Sequence, residues 1–181
     1  LSVVGSRKPL REYTDWMRLE FYPFLQKIPT LIISGGARGV DQIAHQAAIH
    51  ANRPTIVVLP SGLGKPYPVE WTDLKESVLK TGGAIVTEYF FDEEMRPKNF
   101  ERRNRIIAAW ATRLLVVQAA RKSGTMITVR HASNLGRDIL ALPGSPMRAE
   151  FTGSNELLVS GALMIRDQHD LAAASERLVQ F

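Results

Sequence analysis

Short apolar runs rich in β-branched residues recur along the chain and are separated by longer segments with helical periodicity. These runs are apolar throughout and do not alternate with polar residues, a pattern typical of parallel strands covered on both faces. The predicted strands span residues 1–5, 31–34, 55–59, 84–87, 113–118, 139–142 and 162–165.

The segments between these runs carry the pattern of amphipathic helices. One apolar stripe at positions i, i+3, i+4, i+7 and i+8 is formed by Val40, Ile43, Ala44, Ala47 and Ala48. Further stripes lie within 13–28, 106–111 and 171–178. Pro23 is expected to kink or restart the first of these helices, because proline cannot donate a backbone hydrogen bond. Strands alternating with helices predict an α/β fold with a doubly wound, mostly parallel sheet and helices on both faces.

Composition excludes several classes of protein. No apolar run approaches the roughly 18 to 20 residues that span a bilayer, so we expect no membrane insertion. The absence of cysteine excludes disulfides, cysteine-based zinc sites and a cysteine nucleophile, and it fits a reducing, cytoplasmic location. Since the chain starts at Leu1 inside an apolar run, we expect it to be a piece of a longer protein.

The positive charge of the chain is concentrated in one segment. The formal net charge is +5, but residues 96–137 contain ten basic residues and only one acidic residue, Glu101. The remainder has 13 basic and 17 acidic residues and is therefore mildly acidic. Because solvated helix faces normally mix charges of both signs, this distribution predicts a surface that binds an anion.

Glycine-rich or basic loops follow three of the predicted strands. In a doubly wound sheet, ligands bind where the carboxyl ends of the strands lead into helices. Glycines there allow the backbone to approach a ligand, and a helix N-terminus attracts anions. The loops after the first, second and fifth strands therefore predict an anion cleft built from Ser6, Arg7, Gly35, Gly36, Arg38, Gly39, Lys122, Ser123, Gly124 and Thr125.

Arg103, Asn104 and Arg105 form a further cluster, which the pattern places just before an apolar helix. Together with Arg102 they put three arginines within four residues, which repel one another unless opposite charges neutralise them. A bound anion, or the carboxylates of Glu88 and of residues 92–94, would neutralise these charges. We therefore expect one arginine to be structural while its neighbours face the ligand.

Catalytic and metal-binding patterns are missing. The loops do not have the GxGxxG spacing of dinucleotide-binding proteins, and residues 62–66 lack the spacing of a P-loop, with Pro66 in place of its Ser or Thr. The four histidines show neither metal-ligand spacing nor a nucleophile–base pattern. We expect His45 to lie on the helix surface or to act as a capping partner. These patterns favour a binding protein without catalytic activity.

Taken together and in order, these motifs resemble the DprA/Smf family of DNA-processing proteins of bacterial natural transformation. The resemblance covers nearly the whole chain. The matching positions are 4–7, 34–41, 44–45, 62–63, 67–68, Glu88, Phe100, 103–108, 123–125, Thr128, 136–137, 142–145, 153–155, 157–158 and 161–162.

The resemblance implies an extended Rossmann-like domain over residues 1–181, with the family's helical and winged-helix-like domains lying outside these residues. It also implies a cytoplasmic homodimer that binds single-stranded DNA without sequence preference and helps to load the RecA recombinase. The residues predicted to bind DNA are Ser6, Arg7, Gly35, Gly36, Arg38, Gly39, Arg103, Asn104, Arg105, Lys122, Ser123, Gly124 and Thr125. No cofactor is implied.

Some positions depart from the family pattern. Glu101 replaces the usual proline of the FPxRNR block, and Gly36 replaces a larger apolar residue, which should loosen its loop. Two alternatives stay open: a phosphoribohydrolase acting on nucleotide monophosphates, whose PGGxGTxxE signature is incomplete here, and a nucleotide-sensing or purely structural Rossmann module. The apolar segments 157–159 and 163–165 indicate either a dimer interface or a buried final strand.

Overall fold

The computed structural model describes residues 1–69 and 71–176, with only the backbone described for residues 71–73. Its strands form a single sheet in the order β4-β3-β2-β1-β5-β6-β7, and every neighbouring pair is parallel. The strands are β1 (Ser2–Val4), β2 (Ile32–Ser34), β3 (Thr55–Val58), β4 (Ala84–Val86), β5 (Arg113–Val116), β6 (Asp138–Ala141) and β7 (Leu163–Met164). The seven predicted strands and the parallel sheet are confirmed.

Helices cover both faces of this sheet. They are α1 (Arg11–Trp16), α2 (Tyr22–Lys27), α3 (Val40–His50), α4 (Trp71–Lys80), α5 (Pro97–Ala109), α6 (Gly124–Asn134), α7 (Thr152–Val159) and α8 (Gln168–Glu176). Helices α1, α2, α3 and α8 pack on one face through a core that includes Phe21, Phe24 and Leu115. Helices α5 and α6 pack on the other face, around Ile107 and Val116. The doubly wound arrangement is therefore confirmed, because buried runs present side chains to both layers.

The chain reverses its winding direction at β1. This strand lies between β2 and β5, with Ser2 opposite Ile33 on one side and Val4 opposite Val116 on the other. The connections from β1 to β4 progress toward one edge of the sheet, and those from β5 to β7 progress toward the other. Such a switch point leaves a crevice beyond the carboxyl ends of the two central strands.

The kink or restart of the helix expected at Pro23 is replaced by a change of helix type just before this residue. A π-helical segment (Met17–Phe21) follows α1, and Pro23 occupies the first turn of α2. Because Phe21 and Tyr22 keep helical backbone angles, the missing N–H of Pro23 removes one hydrogen bond from a continuous helix, next to the π-helical turn. The wider π turn lets the two short helices run on from one another without a break.

Some boundaries differ from the prediction. Helix α5 begins at Pro97, so the arginine cluster lies inside this helix and not before it. The buried face of α5 includes Asn99, Arg103 and Ile107, which are spaced by four residues. Because two of these residues are polar, no continuous apolar stripe indicated where the helix begins. Leu171 packs in the core through α8, whereas Leu178 lies outside the described residues. No helix in the described ranges is long and apolar enough to cross a membrane.

Candidate nucleic-acid interface

A cavity of about 560 Å³ occupies the crevice beyond β1 and β5, between α5 and α6. Seven of the thirteen predicted site residues line it: Ser6, Arg7, Arg103, Asn104, Ser123, Gly124 and Thr125. Other lining residues include Ala37, Asp41, Pro97, Phe100, Glu101, Gln118, Thr128 and Glu150. The loops after β1 and β5 and the arginine-bearing helix therefore meet at one site.

An aromatic wall forms one side of this cavity. The guanidinium carbon of Arg7, an exposed residue, lies 4.8 Å from the centre of the Phe100 ring. Tyr67 meets the same ring edge-on, with the ring centres 5.7 Å apart and the planes at 83°. Phe100 was part of the motif that indicated the family but was not predicted to contact the ligand. The position of Phe100 next to the arginine cluster in the sequence could have indicated this stacking surface.

The N-terminus of α6 forms the opposite side. Ser123 occupies the N-cap position but its side chain makes no capping hydrogen bond, and its hydroxyl oxygen is buried without a partner in the described structure. Gly124 is exposed, and a Cβ added there would meet open space. First-turn N–H groups have no partner within a helix, so this end of α6 offers donors and a favourable dipole to an anion. Thr125 donates to the carbonyl oxygen of Gly5 at 3.1 Å and ties α6 to β1.

The glycine loop after β2 uses its donors internally. One carboxylate oxygen of Asp41 accepts hydrogen bonds from the N–H groups of Gly35 at 3.2 Å and Ala37 at 3.3 Å. The N–H of Val40 donates to the carbonyl oxygen of Ser6 at 3.1 Å. The expectation that this loop presents its amides to an external anion is therefore wrong for Gly35, because a carboxylate of the protein itself already accepts its N–H.

Gly36, Arg38 and Gly39 complete this loop without lining the cavity. Arg38 is exposed beside it, and Gly36 is buried with a φ of +68°. Gly39 has a φ of +86°, and a Cβ at this position would overlap the carbonyl oxygen of Ser6. Glycine is required at position 39 because the loops after β1 and β2 touch there.

The two arginines of the RNR block lie in different environments. Arg103 is only 3% exposed, and its Nη1 donates to the carbonyl oxygen of Gly35 at 2.6 Å and also to that of Val58. Arg105 is exposed and forms an ion pair with Glu88, one of the carboxylates anticipated as a partner. Arg103 is thus a structural cation beneath the glycine loop, although part of it contributes to the cavity wall.

Burial shifts the pKa values of the groups beneath the loop. It raises the pKa of the Asp41 carboxyl to about 6, an effect that the charge of Arg103 partly opposes. Burial also lowers the pKa of Arg103 to about 10, which Asp41 partly offsets. Asp41 and Arg103 therefore compensate one another inside the protein.

His45 belongs to the same buried layer. Its Nδ1 lies 2.7 Å from the hydroxyl of Thr55, and its side chain is fully buried on α3. Burial, reinforced by the charge of Arg103, lowers the pKa of His45 to about 3. The expected surface or capping position of His45 is therefore wrong. The apolar stripe of α3 continues around the helix far enough to include this residue, which then satisfies a buried hydroxyl.

Part of the positive segment is neutralised within the protein. Four of its arginines pair with carboxylates: Arg105 with Glu88, Arg113 with Asp138, Arg121 with Glu156 and Arg130 with Glu101. Lys122 is exposed next to the α6 terminus but does not line the cavity. The charged residues that line the cavity are Arg7 and Arg103 together with Asp41, Glu101 and Glu150, so the bulk charge of the segment does not by itself make the cavity positive.

The fold and this site define a class of protein: an extended Rossmann-like α/β protein whose switch-point cleft combines an exposed cation, an aromatic wall and a helix N-terminus. Residues 1–176 match the model of the family described as DNA recombination-mediator protein A. The chain belongs to this family, to which the DprA and Smf proteins also belong.

Relatives of known sequence and structure agree. Protein Smf of Escherichia coli is 39% identical over 171 residues, which cover 94% of this chain and 46% of that protein. The X-ray structure of DprA from Streptococcus pneumoniae aligns with a TM-score of 0.85 and 31% identity, covering 95% of this chain and 60% of that one. DNA processing protein A from Helicobacter pylori, studied for its single-stranded DNA binding mode, aligns with a TM-score of 0.83 and 28% identity over 97% and 79% of the two chains. The chain spans about half the length of the curated relatives it matches.

Proposed function

We propose that this chain binds single-stranded DNA without sequence preference in the cleft beyond β1 and β5, as part of a protein that processes DNA during natural transformation. The observation that carries the proposal is the placement of the Arg7 guanidinium over the Phe100 ring at the wall of a 560 Å³ cavity. Single-strand binding needs a cation for the phosphates and a planar surface for the bases, and the Arg7 guanidinium stacked on Phe100 offers both.

The N-terminus of α6 supplies the second phosphate contact in this proposal. Ser123 and Gly124 line the cavity across from α5, and the exposed first turn at Gly124 can donate backbone N–H groups to a phosphate oxygen. The exposed Lys122 and Arg38 would add longer-range attraction on the adjacent loops. Because stacking and phosphate contacts do not read base edges, binding of this kind tolerates any sequence.

The family relationship supports further parts of the proposal. We propose that the DNA complex serves RecA loading, that the protein acts through binding and not through catalysis, and that it works in the cytoplasm as a homodimer. Apolar side chains at one edge of the sheet are available for a dimer interface: Val159 is 90% exposed, Met164 50% and Leu163 36%. Ile165, predicted with them, is buried and packs in the core.

Fluorescence anisotropy with a labelled oligothymidylate tests the DNA-binding proposal. We expect binding whose affinity falls steeply as salt concentration rises, because phosphate contacts release counterions. Unlabelled AMP should compete poorly, since one nucleotide makes only a fraction of the contacts. Tight AMP binding without oligonucleotide binding would instead favour the phosphoribohydrolase or nucleotide-sensing alternatives.

A further inference from the structure

Two adjacent phenylalanines are exposed outside the cavity described above. Phe90 is 87% exposed and Phe91 66% exposed, in the loop that follows β4. Large aromatic side chains exposed at consecutive positions form an apolar surface of the kind that marks binding sites. The packing of the described residues does not require them, because neither belongs to a core cluster.

The backbone beneath these side chains is fixed. The N–H of Gly62 donates to the carbonyl oxygen of Glu93, and the N–H of Gly64 donates to that of Phe91, both at 2.8 Å. Thr87 donates from its hydroxyl to the carbonyl oxygen of Ser61 at 2.7 Å. The loop after β3 is thus bonded to the loop after β4 at three points. A preorganised surface loses less conformational entropy on binding than a mobile one.

This aromatic surface adjoins the DNA cleft. A second cavity of about 330 Å³ is lined by residues that include Gly64, Lys65, Tyr67 and Glu94. Tyr67 also touches Phe100 of the first cavity, so the two cavities share this pair of rings as a common wall. The second cavity also reaches Gly64. The ring of Phe91 packs against this glycine so closely that a Cβ added at position 64 would lie 2.6 Å from the ring.

We propose that a single strand leaving the first cavity passes over Tyr67 and stacks its next bases on Phe91 and Phe90. This inference rests on the proposed DNA-binding function and extends its site. Lys65 provides one cation here, whereas Glu94 and Asp92 repel phosphates. The surface therefore binds the faces of the bases, and the phosphates are directed outward toward solvent.

The test compares short and long oligothymidylates on the protein with Phe90→Ala and Phe91→Ala combined. An oligomer of about four nucleotides fills the first cavity alone, and one of about twelve also reaches the second. We expect the variant to bind the short oligomer like the wild type and the long one roughly tenfold or more weakly. The slope of log affinity against log salt should stay unchanged, because stacking releases no counterions.

Leu19→Ala is the matched control, since Leu19 is 58% exposed and lies outside both cavities. It should leave the binding of both oligomers unchanged. Equal binding of the long oligomer by the phenylalanine variant and the wild type would overturn the inference and assign the surface to a protein partner. Equal weakening for both lengths would also overturn it. If the wild type binds neither oligomer, the proposed function itself fails, and this inference fails with it.

Discussion

The guanidinium of Arg103 donates a hydrogen bond to the carbonyl oxygen of Gly35 at 2.6 Å, joining α5 to the loop after β2. A Cβ on Gly35 would lie 2.6 Å from Nη2 of the same arginine, so the contact requires glycine. Asp41 accepts from the N–H of Gly35 on the other side. The conformation of this loop is therefore fixed from within the protein by hydrogen bonds to two buried charged side chains, Arg103 and Asp41.

Replacing Arg103 with alanine should destabilise the protein by about 3–5 kcal/mol, because Asp41 would remain buried without its compensating charge. Arg105→Ala is the matched control on the same helix. Its ion pair with Glu88 is largely exposed, so its loss should cost less than about 1 kcal/mol. Urea denaturation measures both values. Similar losses for the two variants would contradict the structural role assigned to Arg103.

Replacing Arg7 with alanine should weaken oligothymidylate binding roughly tenfold and reduce the salt slope by about one, as expected for the loss of one phosphate contact. The melting temperature should stay close to that of the wild type, since Arg7 is exposed. Lys8→Ala changes an adjacent exposed cation that does not line the cavity, and it should have a much smaller effect. Equal effects of the two substitutions would indicate general electrostatic attraction without a defined site.

Gly124→Ala should separate binding from stability. A Cβ at this position meets no atom of the protein within 4 Å, so stability should be unchanged or rise by up to about 1 kcal/mol. The same methyl group should hinder the approach of a phosphate to the first turn of α6 and weaken DNA binding several-fold. Ser133→Ala, at the exposed far end of this helix, is the control for anisotropy and denaturation. Unchanged DNA binding by Gly124→Ala would exclude α6 as a phosphate site.

His45 should make the protein sensitive to acid. Its pKa in the folded state is about 3, whereas an unfolded histidine has a pKa near 6.5. Unfolding therefore takes up a proton between these values, and the free energy of unfolding falls as pH drops through this window. Asp41, with its pKa raised to about 6, opposes this trend between about pH 6 and pH 4, because its folded form binds the extra proton.

His45→Gln should therefore lose less stability than the wild type when the pH is lowered from about 7 to about 4.5. Urea midpoints across this range measure the difference. His50→Gln removes an exposed histidine from the same helix and is the control for the loss of a histidine from α3. Identical pH profiles for wild type and His45→Gln would show that His45 does not carry the acid sensitivity.

Much of the architecture was predictable from local patterns. Continuous apolar runs indicate strands covered on both faces, and all seven were found within two residues of their predicted ends, with the largest difference at the end of β5. Glycines and arginines following the strands indicated the edge of the sheet where the cavity lies. Helices α4 and α7 were not predicted. The short α7 carries no long apolar stripe, whereas α4 was missed although Trp71, Leu74 and Val78 have helical spacing.

The sequence by itself determined the α/β fold, the family and the edge of the sheet at which the cavity lies, because these depend on local periodicity and on motifs in a fixed order. Only the tertiary structure decided that Arg103 is buried while Arg105 is exposed, that Asp41 occupies the glycine loop and that Phe100 forms a wall of the cavity. Arg103 and Gly35 are 68 residues apart in sequence. Which side of a helix is buried depends on the elements packed against it, and periodicity interrupted by polar residues does not specify it.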